Sequence, residues 1–151
     1  MDAKLKKFLD ANKIKYKLEE HKKVYTAFNE AETQHLKPKE VAKTVLVKAD
    51  KGFAIAVVPA QKKVDFNKVK KALKAKQVSM AREGDMAKIL KTKIGLAHPF
   101  GNLYKLPTLV DNSLLKQKNI IASAGSYTES IEFKTADFVK LVQSVKGSFL
   151  K

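Results

Sequence analysis

The residue that best combines reactive chemistry with a defined position is Lys43, which lies in a run of β-branched and apolar residues. Successive side chains of a strand point to opposite faces, so Lys43 is predicted to share a face with Val41, Val45 and Val47. An ammonium group on such a face is partly desolvated unless it meets an anion. Two interpretations stay open: Lys43 binds a ligand, or its stem packs while its charge reaches water.

A second candidate is the loop from Gly95 to Gly101, which contains His98 and Pro99. Pro99 restricts His98 to extended backbone angles, and the glycines permit close approach of a ligand to the main chain. Such a loop can direct backbone N–H groups at a carbonyl or an oxyanion. Ordinary turn-rich connections show the same pattern, so this signal alone does not decide between a site and a turn.

Several common catalytic and metal-binding patterns are missing from the sequence. There is no cysteine, and His21, His35 and His98 lie far apart without the spacing of metal ligands. No P-loop, dinucleotide-binding or nucleophile-elbow motif is present. Ser123 and Ser126 lie in a run of small residues without an evident histidine and carboxylate to activate them. We therefore expect no metal, no cofactor and no serine nucleophile.

The charge of the chain is strongly basic, with 31 Lys+Arg against 15 Asp+Glu and a formal net charge of +16. Such an excess favours polyanionic partners such as nucleic acid. Arg82 is the single arginine, so contact with phosphates is expected rather than the reading of base edges. The lysines are spread along the whole chain, which leaves a solvated basic surface as the alternative.

The sequence predicts a cytoplasmic protein that makes no membrane contact. No apolar run reaches the roughly 18 residues that a membrane span needs, and the first residues lack the apolar stretch of a secretory signal. A length of 151 residues fits one domain.

Hydrophobic periodicity predicts interleaved helices and strands. The predicted strands are 14–18, 41–47, 53–58, 77–80, 108–110, 120–122 and 130–133. The predicted helices are 2–12, 26–35, one from residue 65, 83–90, and a last helix that Thr135 caps and that carries Phe138, Leu141, Val142 and Val145. The elements show no regular βαβ period, and Lys51-Gly52 joins two strands as a hairpin. The prediction is a mixed-sheet α/β domain rather than a doubly wound one.

Several of these segments together resemble one known family. Residues 41–47 are similar to the lysine-bearing strand of YbaK-type proteins and of the editing domain inserted in bacterial prolyl-tRNA synthetases. Residues 95–101 resemble the Gly-x-x-(Ser/Thr)-Pro-(Phe/Leu)-Gly loop of that family, and residues 106–111 resemble the strand after it. The small-residue run 123–126 and residues 131–133 resemble the late turn and strand. In this order the segments cover nearly the whole chain.

The resemblance implies a single YbaK/prolyl-tRNA-synthetase-associated domain over residues 1–151, with a mixed, barrel-like sheet surrounded by helices. It implies a metal-independent trans-editing deacylase that removes cysteine, alanine or serine from mischarged tRNA, chiefly tRNA for proline. The implied partners are aminoacyl-tRNA and an aminoacyl-tRNA synthetase in a transient complex. A non-catalytic tRNA- or DNA-binding module of the same fold is the alternative.

The resemblance also assigns residues. Lys43 falls on the functionally required lysine of the family. The substrate-binding positions that it assigns are Tyr25, Thr26, Phe28, Thr44, Gly95, Leu96, Ala97, His98, Pro99, Gly101, Gly125, Ser126 and Ser130. Three of them depart from the family pattern: His98 stands where relatives usually have Ser or Thr, Leu96 where they often have a smaller residue, and Ser130 where some carry an acid. The bulkier Leu96 and His98 predict a tighter pocket.

Overall fold

The computed structural model describes residues 1–20, 40–50, 52–92 and 96–151 of the chain. The helices in these ranges are α1 (Ala3–Ala11), α2 (Phe66–Leu73), α3 (Glu83–Asp85), α4 (Asn112–Leu115) and α5 (Thr135–Val142), with a π-helical turn at Met86–Leu90 and a 3₁₀ turn at Gly101–Tyr104. The strands are β1 (Tyr16–Glu20), β2 (Ala42–Ala49), β3 (Gly52–Pro59), β4 (Val78–Met80), β5 (Thr108–Asp111), β6 (Asn119–Ser126), β7 (Glu129–Lys134) and β8 (Val145–Gly147).

These strands form two sheets that meet at one point. A three-stranded antiparallel sheet has the order β1-β7-β6, and a five-stranded sheet has the order β4-β2-β3-β5-β8. The larger sheet is mixed, because β2 is antiparallel to β3 and β4 whereas β5 is parallel to β3 and β8. An isolated parallel bridge between Val41 and Ile121 links the beginning of β2 to β6. The predicted mixed α/β fold is confirmed, with its strands divided between two joined sheets.

Two apolar layers cover the opposite faces of the five-stranded sheet. Val47 and Val58 belong to the layer beneath α2, where Val69 is completely buried. Leu46 belongs to the layer that includes α1, α5 and the three-stranded sheet, with Phe138 at its centre. The alternation along β2 that the sequence predicts therefore separates two cores: Ala42 and Leu46 face one, and Val45 and Val47 face the other.

The last helix is shorter than predicted. It ends at Val142 because Gln143 adopts the left-handed conformation with φ 49°. Val145 instead belongs to β8, where it pairs with Leu109 of β5. Thr135 is the first residue of the helix rather than its cap, and within the described ranges its buried hydroxyl has no hydrogen-bond partner. The spacing of apolar residues predicts that Val145 continues the helix, because this spacing contains no information about the backbone pairing of Val145 with β5.

The predicted helix 26–35 lies outside the described residues. None of the helices in the described ranges is long and apolar enough to cross a membrane.

Candidate functional site

Lys43 occupies the second position of β2, directly opposite Val58 in the β2–β3 pairing. Its side chain is half-buried on the face that β2 presents towards α2, as the alternation predicts. Burial lowers the pKa of Lys43 below its ordinary value, and the nearby charge of Lys63 lowers it further. Across the described ranges the ion pairs do not include Lys43, so two neighbouring cations lie there without a carboxylate partner.

The strand β6 brings a polar side chain to the same side of the molecule. The bridge between Val41 and Ile121 is parallel, and the N–H of Ile121 donates to the carbonyl oxygen of Glu40 at 2.9 Å. Lys43 and Ser123 each follow this bridge by two residues, so both share its face. The junction of the two sheets thus places Lys43 and Ser123 on one side of the molecule.

Ser123 fastens the candidate loop to this junction. Its hydroxyl donates to the carbonyl oxygen of Leu96 at 3.2 Å and accepts the N–H of Gly125 at 3.2 Å. Ser130 lies opposite Ser123 in the β6–β7 pairing and is completely buried. The structure therefore brings Leu96 and Ser130 together around Ser123, a residue that the sequence analysis did not assign to the site.

Past Ala97, the loop is closed on itself by His98 and Tyr104. The N–H of His98 donates to the Tyr104 hydroxyl at 3.2 Å, and that hydroxyl lies 3.3 Å from the carbonyl oxygen of His98, to which it donates. The two rings stack, with centroids 4.6 Å apart and planes 13° from parallel. The N–H of Phe100 donates to Nδ1 of His98 at 3.2 Å, and Phe100 is completely buried against Phe138. His98 thus helps to hold the shape of the loop.

His98 is held in its neutral form. Burial lowers its pKa to about 4, although the charge of Asp2 acts in the opposite direction. Because Nδ1 accepts the Phe100 N–H, the proton of the neutral ring is on Nε2. The ring borders a surface pocket of about 470 Å³ that Tyr104 also lines. Lys43 is not among the described residues that line this pocket.

In the described part of the loop before Pro99, two backbone donors have no hydrogen-bond partner. Pro99 has no N–H, and the N–H groups of His98 and Phe100 are bonded within the loop. Counting partners within the described ranges only, the N–H groups of Leu96 and Ala97 make no hydrogen bond. The bond from Ser123 to the Leu96 carbonyl fixes the orientation of the Leu96–Ala97 peptide group, which also carries the N–H of Ala97.

Both described glycines of the predicted site are required by packing. A Cβ at Gly101 would lie 2.0 Å from Oγ1 of Thr108 and 2.7 Å from the carbonyl oxygen of Leu106. Gly125 has a φ of +91°, in the region that favours glycine, and a Cβ there would lie 2.9 Å from the Cβ of Asp2. These contacts explain why glycine stands at both positions without any ligand.

The remaining predicted residues are placed as follows. The side chain of Thr44 lies on the face of β2 opposite Lys43, so the structure does not bring these two groups together. The hydroxyl of Ser126 lies 3.0 Å from that of Thr128 and accepts its N–H in the β6–β7 turn. The other predicted residues lie outside the described residues: Tyr25, Thr26, Phe28 and Gly95. No group of three or more His, Cys, Asp or Glu with metal-binding proximity occurs within the described ranges.

Comparison with known proteins defines the class. Residues 21–141 match the family model described as the aminoacyl-tRNA editing domain. The chain belongs to this family, and the resemblance noted in the sequence is confirmed.

Individual relatives agree with the family assignment. A proline–tRNA ligase of Caldicellulosiruptor bescii is 30% identical over 105 residues, which are 66% of this chain and 18% of that ligase. The crystal structure of a hypothetical protein is similar with a TM-score of 0.91 at 21% identity, covering 98% of this chain and 99% of that one. A structure described as a candidate trans-editing enzyme for prolyl-tRNA synthetase has a TM-score of 0.84 at 16% identity, covering 100% and 99%. The two structures show that the fold is shared.

Proposed function

We propose that this chain is a trans-editing hydrolase that removes a small amino acid, such as alanine, serine or cysteine, from mischarged tRNA for proline. Membership of the editing family supports hydrolysis of an aminoacyl ester. The observation that carries the finer proposal is the sheet junction, where the half-buried Lys43 shares a face with Ser123, which anchors the loop. In this proposal, residues 1–151 form one domain that acts in the cytoplasm, in transient contact with a synthetase.

In the proposed site, Lys43 binds the phosphate of the terminal nucleotide. Lys43 is partly desolvated and lies near the charge of Lys63, so its positive charge gains most from a full negative charge placed close by. A phosphate carries that charge, whereas an ester carbonyl carries only a dipole. A lysine suits this role because its ammonium is a compact point charge with three donors.

The backbone then stabilises the charge that develops during hydrolysis. Water attacks the ester carbonyl carbon, the carbonyl oxygen becomes an oxyanion, and the bond to the ribose oxygen breaks to release the amino acid and the tRNA hydroxyl. The N–H groups of Leu96 and Ala97 are the donors that we assign to this oxyanion, and Ser123 orients the peptide group that carries the N–H of Ala97. Removal of one such donor typically costs about 10²–10³ in kcat.

No protein nucleophile takes part in this mechanism. The hydroxyl of Ser123 donates a hydrogen bond to the carbonyl oxygen of Leu96, and no base that would activate it for attack on a carbonyl carbon is assigned in this mechanism. The ester is already activated relative to an amide, so a positioned water in a partly closed pocket is sufficient. We propose that the reaction requires neither a metal nor a cofactor.

The experiment that tests the proposal is deacylation of tRNA for proline charged separately with alanine, serine, cysteine and proline, with and without a chelator. We expect hydrolysis of the small aminoacyl esters, survival of prolyl-tRNA, and no effect of the chelator. Salt-dependent tRNA binding without hydrolysis of any ester would instead favour the non-catalytic nucleic-acid-binding module. The net charge of +16 is also consistent with that function.

A further inference from the structure

The outer face of α2 carries a stripe of lysines. Lys70, Lys71 and Lys74 follow Asn67 at intervals of three, four and seven residues, which places all four on one side of a helix. All four are exposed, and with Ala75 they line a surface depression of about 520 Å³. The stripe is therefore one continuous basic surface.

The chain segment that contains this stripe carries charges of one sign. Residues 66–82 contain six basic residues and no acidic residue. Like charges at a spacing of four, such as Lys70 and Lys74, repel each other on a helix. The carboxylate of Asp50 accepts hydrogen bonds from the N–H groups of Gln77 and Lys76, which lower its pKa, and the charge of Lys70 lowers that pKa further. In the described part of the chain, the two ion pairs lie elsewhere.

The helix does not depend on these lysines for its structure. Asp65 caps its N-terminus by accepting the N–H groups of Asn67 and Lys68, and Val69 is completely buried. Lys74 lies in the left-handed conformation at the C-cap with its side chain exposed. A set of exposed, mutually repelling cations on a helix that is anchored by other contacts favours an anionic partner.

The stripe runs beside the strand that carries Lys43. Val69 of α2 packs in the same apolar layer as Val58, and Val58 pairs with Lys43 in the sheet. The N-terminal end of α2 follows Lys63, whose charge acts on Lys43, while its C-terminal end lies beside Asp50, just past the far end of β2. Because Asp50 is seven residues from Lys43 along the chain of β2, this end of the basic surface lies about 23 Å from Lys43.

We propose that this face of α2 binds the phosphate backbone of the tRNA acceptor stem, so that the aminoacylated 3′ end reaches Lys43. The proposal rests on the proposed function. The partner is a duplex RNA backbone because lysines recognise phosphates as point charges and carry no base-specific geometry. RNA duplexes are recognised chiefly by shape and by phosphate and sugar contacts.

The test compares two triple variants that lose the same charge. The first is Lys70→Gln/Lys71→Gln/Lys74→Gln, and the control is Lys6→Gln/Lys7→Gln/Lys15→Gln, whose exposed lysines lie in or near α1, away from α2. Binding of an uncharged tRNA transcript for proline is measured over a range of salt concentrations, and circular dichroism checks that both variants are folded. We expect the α2 variant to bind at least about tenfold more weakly near 0.1 M salt, with a salt slope smaller by about two to three. The control should stay close to the unmodified protein, and equal losses in both variants would overturn the proposal.

Deacylation kinetics separate this proposal from the proposed function. The α2 variant should raise KM and leave kcat nearly unchanged, because it removes contacts made equally in the ground and transition states. If the unmodified protein hydrolyses mischarged tRNA and the α2 variant binds tRNA as tightly as the control, the outer face of α2 is not the tRNA-binding surface and the proposed function stands. If no ester is hydrolysed but the α2 variant alone loses tRNA binding, the surface stands and the proposed function is wrong.

Discussion

The hydroxyl of Ser123 donates a 3.2 Å hydrogen bond to the carbonyl oxygen of Leu96 across 27 positions of the sequence. This bond joins the late strand β6 to the loop that the family resemblance identifies. The same hydroxyl accepts the N–H of Gly125, so one side chain fixes both the loop and the irregular end of β6. The orientation of the proposed oxyanion donors depends on this residue.

Ser123→Ala should reduce both turnover and stability. The substitution leaves the Leu96 carbonyl and the Gly125 N–H without these bonds, which costs about 1–3 kcal/mol of unfolding free energy. Loss of loop orientation should lower kcat by about tenfold or more. The control is Ser113→Ala, which removes the hydroxyl bond to Asp111. Equal kcat values for the two variants, measured in single-turnover deacylation, would remove Ser123 from the site.

The buried neutral His98 predicts a loss of stability in acid. The pKa of His98 is about 4 in the folded protein and about 6.5 in the unfolded chain. Between these two pH values the histidine is protonated in the unfolded state and neutral in the folded state. The contribution of His98 to the free energy of unfolding is fully present above pH 6.5. It is lost as the pH falls from 6.5 towards 4, and the total loss is about 3 kcal/mol. His98→Asn keeps an acceptor for the Phe100 N–H and does not titrate. Thermal unfolding from pH 7 to pH 4.5 should show a smaller loss for His98→Asn; parallel pH profiles would contradict this account.

Gly101→Ala should destabilise the fold, because the new Cβ would meet both Thr108 Oγ1 and the Leu106 carbonyl oxygen. Thr108 is buried and the contact at Leu106 is with a backbone atom, so we expect a loss of at least about 2 kcal/mol in the free energy of unfolding. Gly84→Ala is the matched control, since nothing lies within 4 Å of a Cβ there and the residue is in the exposed helix α3. Urea unfolding measures both changes. A Gly101→Ala protein as stable as Gly84→Ala would show that the packing at Gly101 is not as described.

The sequence predicted those parts of the site that follow from local pattern. Alternation along residues 41–47 placed Lys43 on its face of β2, and the apolar run identified the strand. The same alternation was available for Ser123, which lies between the core residues Ala122 and Ala124 and so points away from the core. Its bond to Leu96 could not be read from the pattern, because no periodicity relates residues 27 positions apart.

Tyr104 and Val145 show the same limit. The stacking of Tyr104 on His98 depends on the 3₁₀ turn Gly101–Tyr104, which folds the chain back on the loop. Val145 continues the apolar period of α5, yet it joins β8 because β5 offers it backbone partners. In each case a tertiary contact decides the outcome, and local propensity does not contain it.

Substrate size should limit activity. A pocket excludes an oversized ligand by steric clash, although an added methylene contact is worth only about 1–3 kcal/mol. Leu96 stands where relatives often have a smaller residue, so we expect alanine, serine or cysteine to be removed and proline or aromatic residues to be left. His98→Ser removes the ring that stacks on Tyr104, so it should alter the shape of the loop and shift preference among the small residues without abolishing turnover. Competition between alanyl- and prolyl-tRNA for proline measures this, and rapid hydrolysis of the prolyl ester would show that the pocket does not select by size.

The central claim is that Lys43 serves ester hydrolysis and not the fold, and single-turnover deacylation of alanyl-tRNA for proline tests it most directly. The assay compares the unmodified protein with Lys43→Ala and with Lys48→Ala, an exposed lysine of the same strand. Lys43→Ala should lower the rate at least about 100-fold, because loss of the phosphate contact misplaces the ester relative to the N–H groups of Leu96 and Ala97. Its melting temperature should be unchanged or raised, because a half-buried cation that burial and Lys63 disfavour has been removed. Lys48→Ala should be close to the unmodified protein in both measurements. A folded Lys43→Ala protein that hydrolyses the ester as fast as Lys48→Ala would contradict the account.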